Sequence, residues 1–294
     1  MKPSQSHILQ VRGLRYHVRS WGDERAPKLV LLHGWMDVSA SFQFLVDALL
    51  GDWYVVAPDW RGFGLSEWAS AGYWFPDYVA DLDVLLRQVA PEHSVSLVGH
   101  SMGGNVAGLY AGIRPGRIAK LVLLEGFGLP RSASSIAPQR YAKWLDEMVR
   151  PPSFKPYASF EEVEARLMQN NRRLSLEKAR FLAPHWAKRL ESGEVVLNSD
   201  PAHKMVNPVL YRLEEALACW RQISAPVLWV WGDGRWVRQW LKDNEADLEE
   251  RRAAFGNLTE RSLADAGHMM HHDRPDALAA VLEEFLAGGK PTDH

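Results

Sequence analysis

The chain has 294 residues, 47% of them hydrophobic, with 34 Lys and Arg against 36 Asp and Glu and a formal net charge of −2. Acidic and basic residues are interspersed, which excludes a basic nucleic-acid stripe and an acidic disordered tail. The single cysteine, Cys219, excludes an internal disulfide and a cysteine-built zinc site, as fits a reducing compartment.

In chain order, His7 to Val11 and Arg15 to Arg19 alternate polar and apolar residues around Gly13, the pattern of an antiparallel hairpin. Lys28 to Leu32 is a short apolar run of the kind covered on both faces, ending in His33-Gly34-Trp35. Ser39 or Ser41 is expected to cap an amphipathic stretch from Phe42 to Leu50. A strand over Trp53 to Ala57 then leads into the loop Asp59 to Ser66. There an Asp59–Arg61 pair could brace the turn, and Gly62 and Gly64 permit it. Pro76 opens a helix with Tyr78, Val79, Leu82, Leu85, Leu86 and Val89 on one face.

Val95 to Val98 is the next buried strand. Gly99-His100-Ser101-Met102-Gly103 and a helix over Asn105 to Ile113 follow directly. A serine in a G-x-S-x-G turn between strand and helix is a nucleophile elbow: it projects alone above the sheet edge, at the positive end of a helix. Ala119 to Leu124 is another buried strand, closing on Glu125-Gly126-Phe127-Gly128. From Leu129 to Gln222 little reads as a strand. Helices are expected instead at Gln139 to Val149, Phe160 to Gln169, Ser175 to Leu190 and Val209 to Trp220. A strand from Pro226 to Trp231 returns to the sheet, followed by Gly232-Asp233-Gly234-Arg235-Trp236. Then come a helix over Val237 to Ala254, a strand over Asn257 to Leu263, the loop Ala264 to His272 and a helix from Pro275 to Leu286.

Alternating buried strands and helices predict an α/β fold: a mostly parallel, eight-stranded sheet with helices on both faces and a helical cap inserted after the sixth strand. The expected division is a core of residues 1–128 and 223–294 and a cap, or lid, of 129–222. No stretch approaches eighteen uninterrupted apolar residues and Met1 to Gln10 has no signal-like apolar region, so a cytoplasmic protein without a membrane span is expected. No nucleotide fingerprint follows a strand, so no cofactor is expected. His268, His271, His272 and Asp273 lack the H-E-x-x-H spacing of a metal site, so no metal is expected either.

The motifs His33-Gly34, Asp59 to Ser66, the elbow at Ser101 and Gly267-His268, in that order, make the chain resemble the α/β-hydrolase superfamily from about His7 to Leu286. Within it the chain looks most like the serine hydrolase-like proteins, through Leu32-His33-Gly34-Trp35-Met36-Asp37, Leu97-Val98-Gly99-His100-Ser101 and Val196-Leu197-Asn198 with Asp200. The resemblance implies Ser101 as nucleophile, His268 as base, and the backbone amides of Trp35 and Met102 as the oxyanion hole. Most of the superfamily carries the triad acid three residues past a glycine after the strand that follows the cap; here that position is Arg235, which cannot accept an imidazole proton. In haloalkane dehalogenases the acid instead ends the strand before the cap, which is Glu125 here, with Asp233 as the reserve. A charge ending an apolar strand is costly unless paired, which favours Glu125.

The 13 tryptophans need large apolar walls. His33, Phe127 and Trp144 are expected to border a mainly apolar substrate pocket. The implied activity is cleavage of a small-molecule carboxylic ester or related acyl compound through an acyl-enzyme. Carbon-carbon bond hydrolysis, perhydrolysis, and a non-catalytic scaffold on the same fold remain alternatives.

Overall fold

The structure is a computed structural model that describes residues 1–233, 235–242 and 244–288. Among the described residues ten strands form: β1 (Ser4–Val11), β2 (Leu14–Trp21), β3 (Lys28–Leu32), β4 (Tyr54–Pro58), β5 (Val95–His100), β6 (Ile118–Leu124), β7 (Ala187–Arg189), β8 (Val195–Leu197), β9 (Val227–Trp231) and β10 (Leu258–Ser262). Eight of them build one sheet in the order β1-β2-β4-β3-β5-β6-β9-β10, parallel except where β2 meets β1 and β4. Because successive side chains alternate across a strand, an apolar run feeds two cores at once. Val30 and Leu32 of β3 join one apolar cluster with Leu121 and Leu123 of β6, while Leu29, Leu31, Val122 and Leu124 join the other.

Helices cover both faces. They are α1 (Gln43–Ala48), α2 (Phe75–Val89), α3 (Met102–Ile113), α4 (Ala137–Val149), α5 (Phe160–Asn170), α6 (Leu176–Trp186), α7 (Leu213–Trp220), α8 (Arg235–Trp240), α9 (Glu245–Arg252), α10 (Met270–Asp273) and α11 (Pro275–Ala287). Residues of α2, α3 and α7 line the first cluster and residues of α1 and α11 the second. Among the described residues no helix is long and apolar enough to cross a membrane.

Several local expectations change. The helix expected over Val237 to Ala254 is two, α8 and α9. Lys242 turns left-handed at φ 54°, and the Asn244 side chain accepts from the Asp247 amide to start the second; Gly234 and Asp243 lie outside the described residues. The stretch to Leu190 stops being helical at Trp186, just after Pro184. It continues as β7, which pairs antiparallel with β8, so the inserted block is not wholly helical. Its last helix starts at Leu213 rather than Val209. Neither Ser39 nor Ser41 caps a helix: the Ser41 hydroxyl donates to Asp37, and the Ser39 amide to Asp59 at 2.6 Å. Arg61 does not brace Asp59. It grips the buried Asp81 with both ends of its guanidinium, at 2.6 Å each, and Asp59 instead meets His17 at 2.7 Å.

Between β6 and β9 the chain leaves the sheet. Val163, Leu167, Leu182 and Val195 close a third apolar cluster there, apart from the two flanking the sheet. The segment 198–204 ties this block to the loop after β4. Gly64 N donates to Asn198 O at 2.7 Å, and Asp200 N to Gly62 O at 2.8 Å. The His203 ring lies between Phe63, at 3.8 Å, and Tyr73, at 3.6 Å. Where β6 ends, the fully buried Arg251 of α9 donates to the carbonyls of Phe127 and Leu129, which fixes the exit path.

Candidate active site

In an open parallel sheet the crevice lies at the carboxyl ends of strands where the connection order reverses. Here the chain runs from β3 outward to β4 and then returns to the other side of β3 with β5. The turns after β3 and β5 are the Trp35 loop and the Ser101 elbow.

Ser101 sits at φ 52° and ψ −114°, a conformation few non-glycine residues adopt and one that persists only when its surroundings hold it. Its amide donates to Leu124 O at 2.8 Å, and its carbonyl accepts from Asn105 N at 3.0 Å. The glycines around it answer to contact. A Cβ at Gly103 would stand 2.2 Å from Leu32 O and 2.7 Å from His33 O, and one at Gly99 would stand 2.4 Å from Gly103 O. These are backbone atoms and cannot step aside. Gly103→Ala should therefore lower the melting temperature by roughly 5–10 °C, as overpacking of a few kcal/mol does in a domain of this size. Gly116→Ala, with nothing within 4 Å, should leave it unchanged. Equal melting of the two variants in a thermal scan would contradict the close packing of the elbow.

Gly34 closes on the elbow from the other side, its missing Cβ only 3.3 Å from the Ser101 Cβ. The Trp35 amide is thereby carried beside the serine, with the indole about half exposed. Met102 is the first residue of α3, where helical geometry leaves its amide without a carbonyl one turn back. No acidic residue stands in that first turn to oppose an anion.

Glu125 follows β6 as Ser101 follows β5, also at φ 52°. Its carboxylate is buried. Oε1 accepts from Gly232 N at 2.6 Å, and Oε2 lies 4.0 Å from Nδ1 of His268, whose side chain is one quarter exposed. Neither Oε2 nor that Nδ1 has a hydrogen-bond partner among the described residues. A closure of ~1 Å would join them, and such bonds often tighten only when a substrate is in place. The His268 carbonyl accepts from His100 Nε2 at 2.7 Å, which ties the loop of His268 to the residue next to Ser101. A carbonyl only accepts, so His100 carries its proton on Nε2. Burial, aided by the neighbouring His271, pushes the His100 pKa well down and keeps the ring neutral.

The reserve acid, Asp233, is placed at the rim, where its carboxylate meets Arg173 at 3.2 Å. The residues expected to border the pocket differ in their exposure. His33 is fully buried: its Nε2 accepts from Trp60 N at 2.9 Å and its Nδ1 donates to Gly34 O at 2.7 Å, and burial lowers its pKa. It shapes the Trp35 loop from below. Phe127 packs on Trp229 and Trp231, with ring centroids 4.4 and 4.6 Å away, and only Trp144 is partly open, edge-on to Trp74.

Three features escaped the sequence reading. Arg173 comes from the block between β6 and β9 and reaches Gly267, beside His268. Trp236 lies on the His268 ring. Asp37 forms a buried knot with His100 and His271, whose donor atoms lie within 4.8 Å of one another. Asp37 Oδ1 accepts from Val38 N and Ser41, and Oδ2 is 3.6 Å from His271 Nε2. Burial would raise the Asp37 pKa, but His271, His272 and His33 outweigh it and hold it well below the carboxylate range. None of these contacts has a periodicity or spacing that marks it in one sequence.

Comparison with known proteins follows the same outline. The family model described as alpha/beta hydrolase fold matches residues 27–275. A serine hydrolase-like protein of Danio rerio is 29% identical over 285 residues, covering 92% of this chain and 85% of that protein. A protein of Cupriavidus necator named 3-hydroxybutyrate-oligomer hydrolase is 37% identical over 288 residues, covering 94% of this chain and 93% of that one. Among solved structures, a thioesterase domain from the curacin biosynthetic pathway superposes with a TM-score of 0.82 at 25% identity, over 96% of this chain and 99% of that domain.

Proposed function

The chain belongs to the α/β-hydrolase family, and from that premise we propose that it is a serine hydrolase of carboxylic esters. The observation that carries the reading is the Glu125–His268 approach at 4.0 Å, with the His268 backbone tied to His100 beside Ser101. In the proposed cycle His268 Nε2 takes the Ser101 hydroxyl proton as Oγ bonds to the ester carbon. Glu125 Oε2 accepts from Nδ1–H and balances the imidazolium, and the amides of Trp35 and Met102 hold the oxyanion. The C–O bond then breaks, His268 returns the proton to the departing alcohol, and water repeats the sequence on the acyl-enzyme.

The block of residues 129–222 is proposed as the cap over this site. As substrate class we infer esters of short acyl or hydroxyacyl groups. The Cupriavidus necator relative, named for 3-hydroxybutyrate oligomers, supports that choice, as does the structural likeness to a thioesterase domain.

The test is turnover of a panel containing a short aryl ester, a 3-hydroxybutyrate dimer, a lactone and a diketone, together with labelling by a fluorophosphonate. Labelling of the wild type that disappears in Ser101→Ala, with hydrolysis of the esters, is the expected result. Folded wild type that neither labels nor turns over any ester would put a non-catalytic binding protein in place of the enzyme. The unclosed 4.0 Å contact is the observation that favours that second reading.

A further inference from the structure

The turn after β9, where most of the superfamily carries its acid, sends a different group to the histidine. From α8 the Trp236 indole lies on the His268 ring, with centroids 3.9 Å apart and planes 25° from parallel. Trp240, one helical turn on, stacks against Trp236 at 5.2 Å and 13°. On its other neighbours His268 meets the tilted ring of His100 at 4.7 Å. The imidazole is thus held by its face on Trp236 and by its own carbonyl on His100, while Nδ1 points at Glu125.

We propose that Trp236 is a positioning residue for His268: it fixes the plane of the imidazole toward Glu125 and favours the imidazolium formed when Ser101 loses its proton. The face of an indole carries negative charge density and attracts a cation held against it more than a neutral ring. Such an interaction strengthens only as the proton arrives, so it acts on the transition state rather than on the resting enzyme. The charges around the ring bear on the same step. Glu125 from β6 favours the cation. Arg173, beside Gly267 and from the segment between α5 and α6, opposes it, and that charge is offset by its partner Asp233 after β9. His100 from β5 is held neutral by burial, and His271 of α10 reaches His268 only across it, its ring 4.6 Å from that of His100.

The inference rests on His268 being the base, and its test is built to separate the two. The ring nitrogens of His268 are followed by NMR across a pH titration in wild type, Trp236→Phe and Trp236→Leu, with the signal assigned by its absence in His268→Gln. This readout needs no turnover. The midpoint in Trp236→Leu should fall by roughly half to one pH unit, while Trp236→Phe stays near wild type. On an ester substrate, kcat of Trp236→Leu should fall roughly three- to ten-fold with KM little changed. Trp236→Met, which fills the space without a ring face, takes the place of the leucine variant if that one does not fold. An unmoved midpoint in a folded leucine or methionine variant overturns the proposal, even where kcat drops, because the indole would then serve packing alone. A wild type that fails on every ester leaves the NMR comparison to decide the stack and removes only the hydrolase reading.

Discussion

Glu125→Gln should lower kcat for a short aryl ester by roughly three to four powers of ten, the scale on which a triad carboxylate acts, while leaving the protein folded. The geometry says why so small a change weighs so much. Glu125 Oε1 is occupied by the Gly232 amide at 2.6 Å, a bond that only an oxygen can accept. A glutamine must therefore turn its carbonyl to Gly232 and its NH2 to His268. The NH2 donates to Nδ1, which forces the imidazole proton onto Nε2, where it blocks the acceptance of the serine proton. The cost is a wrong tautomer in addition to a lost charge. Asp233→Asn breaks a half-exposed pair with Arg173, worth ~0–1 kcal/mol, and should leave kcat within a few-fold of wild type. Steady-state kinetics on the two variants decide it. Near-normal turnover by Glu125→Gln, or a collapse in Asp233→Asn, would move the acid to the later turn.

The protein should also lose its stability steeply as the pH falls below about 6.5, the ordinary pKa of histidine. Burial lowers the pKa of His33 and, by a wide margin, His100, and it takes His185 to about 4 and His203 and His272 to about 3. These five rings stay neutral in the fold while the unfolded chain binds protons from about pH 6.5 down, so the unfolded state gains in stability as pH drops. Each ring contributes at most ~1.4 kcal/mol per pH unit until its own folded pKa is reached. Against a total of ~5–15 kcal/mol, a few such rings suffice to unfold the protein well above pH 4. Asp59, which burial would raise but His17 holds at about 2, adds a second loss, from the usual carboxylate range down toward pH 2. Melting temperatures between pH 8 and pH 4.5 measure the effect. A flat profile above pH 7 and a fall of ~10 °C or more by pH 5 are expected; constancy down to pH 5 would show that these rings open and protonate without unfolding.

What the sequence made legible, and what it hid, divides by the range of the cause. The sheet was readable because apolar runs such as Leu29 to Leu32 and Leu121 to Leu124 are local signals of strands covered on both faces. The elbow was readable because Gly99 and Gly103 flank Ser101 within five residues. Glu125 could be singled out as the charge that ends an apolar strand. Asp81 gave no such sign as the partner of Arg61: the two lie on different elements, and only the fold brings Asp81 rather than the nearby Asp59 to the guanidinium. The break between α8 and α9 was missed because amphipathic spacing continues through it, while Asn244 offers the backbone a competing cap. Trp236 lies on α8, Arg173 in the turn between α5 and α6, and Asp37 in the loop after β3. Their meeting around His268 and His100 is a property of the assembled sheet edge, beyond any window of sequence.

Ser101 and Glu125 follow the last residues of adjacent strands, His100 and Leu124, which stand opposite each other in the β5–β6 register. The lateral step from Ser101 to Glu125 is therefore one strand spacing, ~4.8 Å. A carboxylate placed after β9 would be two such steps away. The sheet acts as a ruler with the two residues on neighbouring marks, and the distance between marks is set by the hydrogen bonds that pair one strand with the next. The lateral distance between Ser101 and Glu125 is thus set by the β5–β6 pairing inside the sheet rather than by any of the helices that cover it.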